Sequence, residues 1–206
     1  EIILVDDGSE DQTSSISKEV ASRLNADIKV LHHQEHHGKG FAVKTGIKIS
    51  KGDFVMFADS GNCIPYSDAL VGKSLIASGV CDIANGSRKL KESTINRSHS
   101  VLRKIISKAI RKILIWWIGL PNHFTDTQCG FKIYKGDVAR ELYGECIKKG
   151  FLFDVEIIMR GIKKGYQIQE FPVHWTADLD SRLSPFKHFV GIIRELFELK
   201  NILRSI

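Results

Sequence analysis

Residues 53–65, DFVMFADSGNCIP, decide the fold. Phe54 to Ala58 is an unbroken apolar run after a Gly-Asp turn, the pattern of a strand buried on both faces in the middle of a parallel sheet. Asp59 stands where the run stops, and Ser60 and Gly61 open a loop. Open α/β sheets bind ligands in the crevice beyond the carboxyl ends of their strands, so Asp59 sits where chemistry is expected.

Upstream, residues 2–5 read as a strand ending in Asp6-Asp7-Gly8-Ser9. A helix follows, with Ile16, Val20 and Leu24 on one face; then come a strand at 28–31, the loop HHQEHHGKG at 32–40 and a helix at 41–50. Strand, helix, strand, helix, strand at this spacing predicts a doubly wound, mostly parallel sheet with helices on both faces. Right-handed crossovers then put all these loops on one edge. Downstream, the pattern predicts a helix to about residue 78, a strand at 82–85 ending in Gly86-Ser87-Arg88, and a strand at 131–134. Helices at 137–148 and 154–164, a strand at 168–173 and a basic amphipathic helix at 184–206 complete the chain. No repeat or Pro-rich linker interrupts this, so residues 1–206 read as one domain.

A chain of 206 residues, 43% hydrophobic, can bury a real core. The four cysteines make no CxxC pair and fall in or beside predicted elements, which predicts reduced thiols. The net charge of +6 is unevenly placed: residues 88–112 hold nine Lys and Arg against the single acid Glu92. Such a patch suits an anionic partner, and the absence of any recognised nucleic-acid module argues for a phosphorylated substrate or a lipid surface over nucleic acid. Apolar and polar pairs alternate along 101–114 and lead into Trp116-Trp117. Two readings stand: a surface helix with solvated charges, or a helix lying at a membrane interface. No stretch reaches the roughly 20 apolar residues that span a bilayer. His32, His33, His36 and His37 have no cysteine near them in sequence and read as a solvated loop beside a ligand rather than a zinc site.

EIILVDDGS at the start, GKGFAVKTG at 38–46, the strand ending in Asp59, GSR at 86–88, LRKIISKAI at 102–110, DTQCGFK at 126–132 and FDVEIIMRGIKKGYQIQEFPVHW at 153–175 occur in this order over nearly the whole chain. Together they resemble the family 2 glycosyltransferases of the GT-A fold. The likeness is nearest to the polyprenyl-phosphate sugar transferases, among them dolichyl-phosphate glucosyltransferases, dolichyl-phosphate mannose synthases and bacterial undecaprenyl-phosphate relatives. The resemblance implies inverting transfer of a hexose from a nucleotide sugar, UDP-glucose or GDP-mannose, to a polyprenyl phosphate. It implies an enzyme peripheral on the cytoplasmic face of a membrane. It also implies one further βα unit ahead of Glu1, so the domain reads as N-terminally incomplete.

The same resemblance assigns roles. Asp6 accepts a hydrogen bond from the donor's base, and Asp7 braces the turn. Lys39, between two glycines at a helix start, meets donor phosphate, where backbone N–H groups also favour anions. Asp59 matches the first acid of the family's Asp-x-Asp motif, the ligand of Mg²⁺ or Mn²⁺, but Gly61 stands at the second acid position. Arg88, Arg103, Lys132 and Arg182 fall where relatives keep phosphate-contacting cations. A lipid phosphate is already anionic and needs no base to become a nucleophile. A sugar hydroxyl would need one, and Asp126 is then the candidate; otherwise it braces the turn into the next strand. Transfer to a hydroxyl in polysaccharide or glycolipid synthesis, and a non-catalytic donor-binding domain, are the other readings the residues leave open.

Overall fold

The computed structural model describes residues 1–97, 101–176 and 189–205; at 97, 101–104 and 189–193 the description is of the backbone alone. In chain order the strands are β1 (Ile2–Asp6), β2 (Ile28–His32), β3 (Phe54–Ala58), β4 (Ile83–Ser87), β5 (Thr94–Arg97), β6 (Phe131–Lys135), β7 (Ile168–Pro172) and β8 (His174–Thr176). The helices are α1 (Thr13–Arg23), α2 (Lys39–Ile49), α3 (Ala69–Ala77), α4 (Val101–Ile113), α5 (Gly136–Glu145), α6 (Phe153–Lys163) and α7 (Phe189–Arg204). A single π-helical turn, Leu114–Ile118, extends α4 and is closed by Gly119 at φ 84°. The short strand β5 lies inside the basic stretch, where charge hides the apolar signal that strand prediction relies on.

The central sheet runs β3-β6-β4-β7, with β1-β2 and β5-β8 as separate pairs. Among the described strands β1-β2, β4-β7 and β5-β8 are parallel, while β6 runs antiparallel to both neighbours. Helices cover both faces. On one, Ile47 of α2, Leu142 of α5 and Ile157 of α6 close over Val55, Phe57 and Tyr134. On the other, Ile76 of α3 packs on Ile133 and Phe171. A third cluster joins the π-turn to α6 and α7 through Leu114, Ile118, Ile158 and Leu199.

The central strand departs from expectation. Val55 and Phe57 are buried, but Phe54 is 38% and Met56 40% exposed, so β3 alternates as a half-covered strand. The reason is which face is covered: Val55 and Phe57 point to the side closed by α2, α5 and α6, while α3 on the other side packs chiefly on β6, β4 and β7 and leaves Phe54 and Met56 open. β3 hydrogen-bonds to β6 on one side, and its other edge faces a groove whose far wall is β1; among the described residues no pairing joins β1 to β3. Helix α2 roofs this groove. A Cβ at Gly46 would meet Val5 and Ile3 of β1, while Ile47 packs with the buried residues of β3. The predicted apolar face of α1 is likewise uncovered, with Ile16, Val20 and Leu24 about half exposed.

The structure also moves Lys132, expected to contact acceptor phosphate. It is 1% exposed, and its Nζ donates to Asp154 Oδ1 at 2.5 Å, to the Cys129 carbonyl at 2.7 Å and to the Thr127 carbonyl at 3.2 Å. Three donors and three partners leave none for a ligand. Lys132 fastens β6 to the first turn of α6 beneath the loop that precedes β6. Removing its counter-charge strands a buried ammonium, so Asp154→Ala is expected to cost about 3–5 kcal/mol. Urea unfolding checks this, as a lower midpoint at unchanged slope.

Candidate active site

A cleft of about 1940 Å³ opens at the carboxyl ends of β1, β3 and β4 and is continuous with the groove between β1 and β3. Its walls include Asp6, Asp7, Lys39, Asp59, Arg88, Lys89, Asp126 and Trp175. The structure thus gathers most of the residues singled out from the sequence, which come from segments more than a hundred residues apart. Arg103 lies on α4 with its side chain outside the described residues, and Arg182 falls outside them altogether.

At the β1 end, Asp6 Oδ1 accepts the Ser9 N–H at 3.0 Å and Oδ2 lies 2.9 Å from His32 Nδ1. Burial works to raise the Asp6 pKa, and these hydrogen bonds outweigh it and hold the carboxyl below its ordinary value. Asp7 stitches the turn to the histidine loop. It accepts the backbone N–H groups of Gly38 at 2.7 Å and His37 at 3.2 Å and sits 2.8 Å from His33 Nδ1. Gly8, at φ 80°, allows this closeness, since a Cβ there would come within 2.7 Å of the Glu35 backbone.

The Gly38-Lys39-Gly40 turn differs from expectation in which of its atoms are free. The Gly38 N–H goes to Asp7, and those of Gly40 and Phe41 go to the Lys149 carbonyl, at 2.7 and 3.3 Å. These backbone donors are therefore committed, and the turn's attraction for anions rests on the Lys39 side chain. Its Nζ reaches Asp59 Oδ1 at 2.7 Å. Asp59 is 48% exposed at the side chain and leans over Gly130, where any Cβ would fall 2.1 Å from its Oδ2. Gly130 is thus a site residue that the sequence hid, legible only as the glycine of a polar turn.

Asp126 lies opposite. Arg88 holds it through Nε to Oδ2 at 2.6 Å, Nη2 to Oδ1 at 2.8 Å and its own backbone N–H to Oδ2 at 3.1 Å. The Arg88 guanidinium is also 5.5 Å from the Trp175 ring centroid, a cation–π distance. Glu170 of β7, which sequence reasoning passed over, accepts the Thr125 and Asp126 backbone N–H groups at 3.0 and 2.9 Å. It anchors the loop that presents Asp126. Burial would raise the Asp126 pKa, and the hydrogen bonds and charge of Arg88 overcome it, keeping the carboxyl ionised below its ordinary value.

The metal expected at Asp59 finds a poor donor set. Among the described residues no group of three His, Cys, Asp or Glu could hold an ion, and the one carboxylate on offer already carries Lys39. Gly61 supplies no side chain, and the Cys63 thiol is too soft a ligand for Mg²⁺.

A profile described as glycosyl transferase family 2 matches residues 1–141. The chain belongs to glycosyl transferase family 2. Its relatives include the dolichyl-phosphate beta-glucosyltransferase of Dictyostelium discoideum, 29% identical over 205 residues that cover 97% of this chain and 62% of the relative. The Homo sapiens protein of the same name is 28% identical over 210 residues, covering 97% and 63%. This family 2 domain thus spans about three fifths of the length of these relatives. Glucosyl-3-phosphoglycerate synthase from Mycobacterium tuberculosis, solved with Mn²⁺ and UDP-glucose, superposes with a TM-score of 0.70 at 15% identity. It covers 99% of this chain and 68% of that one. That likeness establishes the GT-A fold.

The Asp126–Arg88 pair carries a pH signature. Because the native pKa of Asp126 lies below its unfolded value of about 4, the pair contributes fully above about pH 5 and less as pH falls through the depressed native value. Asp126→Asn is expected to destabilise by about 3 kcal/mol near neutrality. Denaturation of both proteins across pH should show that gap shrinking below about pH 4.

Proposed function

We propose that this chain carries the catalytic site of an inverting hexosyltransferase that moves glucose from UDP-glucose to a polyprenyl phosphate. The observation that carries this reading is the condition of Asp126. A hydroxyl acceptor requires a base to take its proton. Asp126, the acid expected for that task, is 2% exposed, gripped by Arg88 and held in its weakly basic ionised form. A phosphate acceptor needs no base; it needs cations that draw two anions together and line them up. Arg88 and Lys39 border the cleft for that purpose, and the names of the relatives point to the same acceptor and sugar.

In the proposed step a phosphate oxygen attacks C1 of the sugar from the face opposite the leaving group. The bond from C1 to the diphosphate oxygen breaks, its electron pair departs with the nucleoside diphosphate, and the anomeric centre inverts to the β configuration. Lys39 and Arg88 stabilise the charge that develops on the leaving diphosphate. Asp6 takes the base, and Asp7 fixes the loop that carries Lys39. Arg103 and Arg182 are assigned to the acceptor phosphate on the resemblance alone. The divalent ion of solved relatives would have a single carboxylate here, Asp59, and no part of this step depends on it.

A lipid acceptor calls for an enzyme at a membrane surface, and α4 with its π-turn supports a peripheral location there; the cytoplasmic face rests on the resemblance alone. Ile105 is 58% and Trp116 87% exposed, beside the exposed Lys108 and Lys112. Large apolar side chains bordered by lysines suit an interfacial helix. No helix among the described residues is long and apolar enough to cross a membrane.

Labelled glucose from UDP-glucose is expected in an organic-extractable product only when polyprenyl phosphate is supplied, with GDP-mannose as the competing donor. The rate should rise through about pH 6, as the phosphate monoester loses its second proton, and then stay level. Label entering a sugar hydroxyl, with a dependence on Asp126, would replace this reading. Trp116→Glu should weaken co-sedimentation with vesicles containing anionic lipid by about fivefold or more while leaving nucleotide binding intact. Equal sedimentation of the two proteins would remove α4 from the membrane.

A further inference from the structure

Three acids of the cleft, those nearest the Asp126–Gly130 loop, each have a cation. Asp59 holds Lys39 at 2.7 Å, Asp126 holds Arg88 at 2.6 Å, and Asp154 holds Lys132 at 2.5 Å. Three further cations, Lys89, Lys108 and Arg111, line the same cleft without a carboxylate partner among the described ion pairs. Arg111 spends its guanidinium on the carbonyls of Phe124 and Asn122, at 3.0 and 2.6 Å, which brings its charge to the loop ahead of Asp126. Around Asp59 and Asp126 the cations therefore outnumber the acids, while Asp6, Asp7 and Glu195 line the cleft elsewhere, and that local charge suits a diphosphate.

The position where a divalent ion would bind is at odds with the ion on three counts. Mg²⁺ and Mn²⁺ need oxygen ligands, and Asp59 is the one carboxylate at the loop. Gly61 has no side chain, and Asn62 is held at φ 49°, its backbone turned into the left-handed region. Of the two Asp59 carboxylate oxygens, Oδ1 is already met by an ammonium whose charge would repel an ion bound to the same carboxylate. Lys39 itself is well suited to the ion's task. It is a compact charge with three donors, 28% exposed at the side chain, and it keeps two donors free while bonded to Asp59.

We propose that Lys39, steadied by Asp59 and assisted by Arg88, neutralises the donor diphosphate in this chain in place of a divalent ion. Asp59 then acts as a positioning residue that aims Lys39, and the site binds its nucleotide without metal. This rests on the reading of the cleft as a nucleotide-sugar site, and the test separates the two.

Calorimetric titration of the purified protein with UDP and with GDP, once in EDTA and once in Mn²⁺, is the deciding experiment. The preferred nucleotide is expected to bind with dissociation constants less than fivefold apart in the two conditions. Lys39→Gln should weaken binding tenfold or more in both, and Lys39→Arg should retain most of it. Tightening by Mn²⁺ of fivefold or more, abolished in Asp59→Asn, would overturn the proposal and leave the donor reading standing. Unchanged affinity in Lys39→Gln would overturn it equally. Should that variant fail to fold, the comparison of EDTA with Mn²⁺ on the parent protein still decides whether an ion is needed. Absence of binding by either nucleotide in either condition would overturn both this proposal and the donor reading.

Discussion

The ion pair between Lys132 and Asp154 is the contact on which the cleft floor depends. A lysine on a central strand, enclosed by the sheet and α6, is tolerable only because a carboxylate and two carbonyls take its protons. Those two carbonyls belong to Thr127 and Cys129, so the same ammonium that fixes β6 to α6 also shapes the loop between Asp126 and Gly130. From that loop Asp126 reaches Arg88 and Gly130 makes room for Asp59. Structural charge below and functional charge above are thus separated by a single turn of chain.

The order of strands and helices was largely legible because apolar runs and their spacing encode which elements exist. What the sequence did not carry was which edges meet. The run from Phe54 to Ala58 reads as a fully buried strand, yet one of its faces is left largely uncovered, because burial depends on neighbours that a local window does not contain. The antiparallel insertion of β6 between β3 and β4 is a long-range pairing of the same kind. Site residues followed the same rule. Acids at strand ends, Asp6, Asp59 and Asp126, could be picked out from where apolar runs and turns begin and end. Lys132 could not be assigned correctly, since a lysine in a motif looks the same whether its partner is a ligand or a buried aspartate. Glu170 and Gly130 matter only through contacts made across the fold, with Thr125 and with Asp59.

The basic segment illustrates how one composition serves two purposes. Arg88 is drawn into the cleft, and Arg111 clamps the 121–125 loop through its carbonyls. Lys112 remains outside with Ile105 and Trp116, while the exposed Lys108 borders the cleft. The π-turn allows this division. It buries Leu114 and Ile118 while leaving Trp116 outward, and sets Trp117 edge-on to Phe197 of α7 at 4.7 Å between ring centroids. A helix that would otherwise present one uniform face is thereby given an inner side that belongs to the site and an outer side that does not.

The groove between β1 and β3 has the shape of an absent strand. Each wall presents a row of backbone N–H and C=O groups that no described strand satisfies, and α2 closes the roof. Unpaired sheet edges are templates for any extended chain, and two facing edges grip such a chain from both sides. Selection there acts on backbone shape first and on side chains only through their alternation. An extended segment seated there would join β1 to β3 into one sheet, and because the groove runs on into the cleft, such a segment would also shape the ligand pocket.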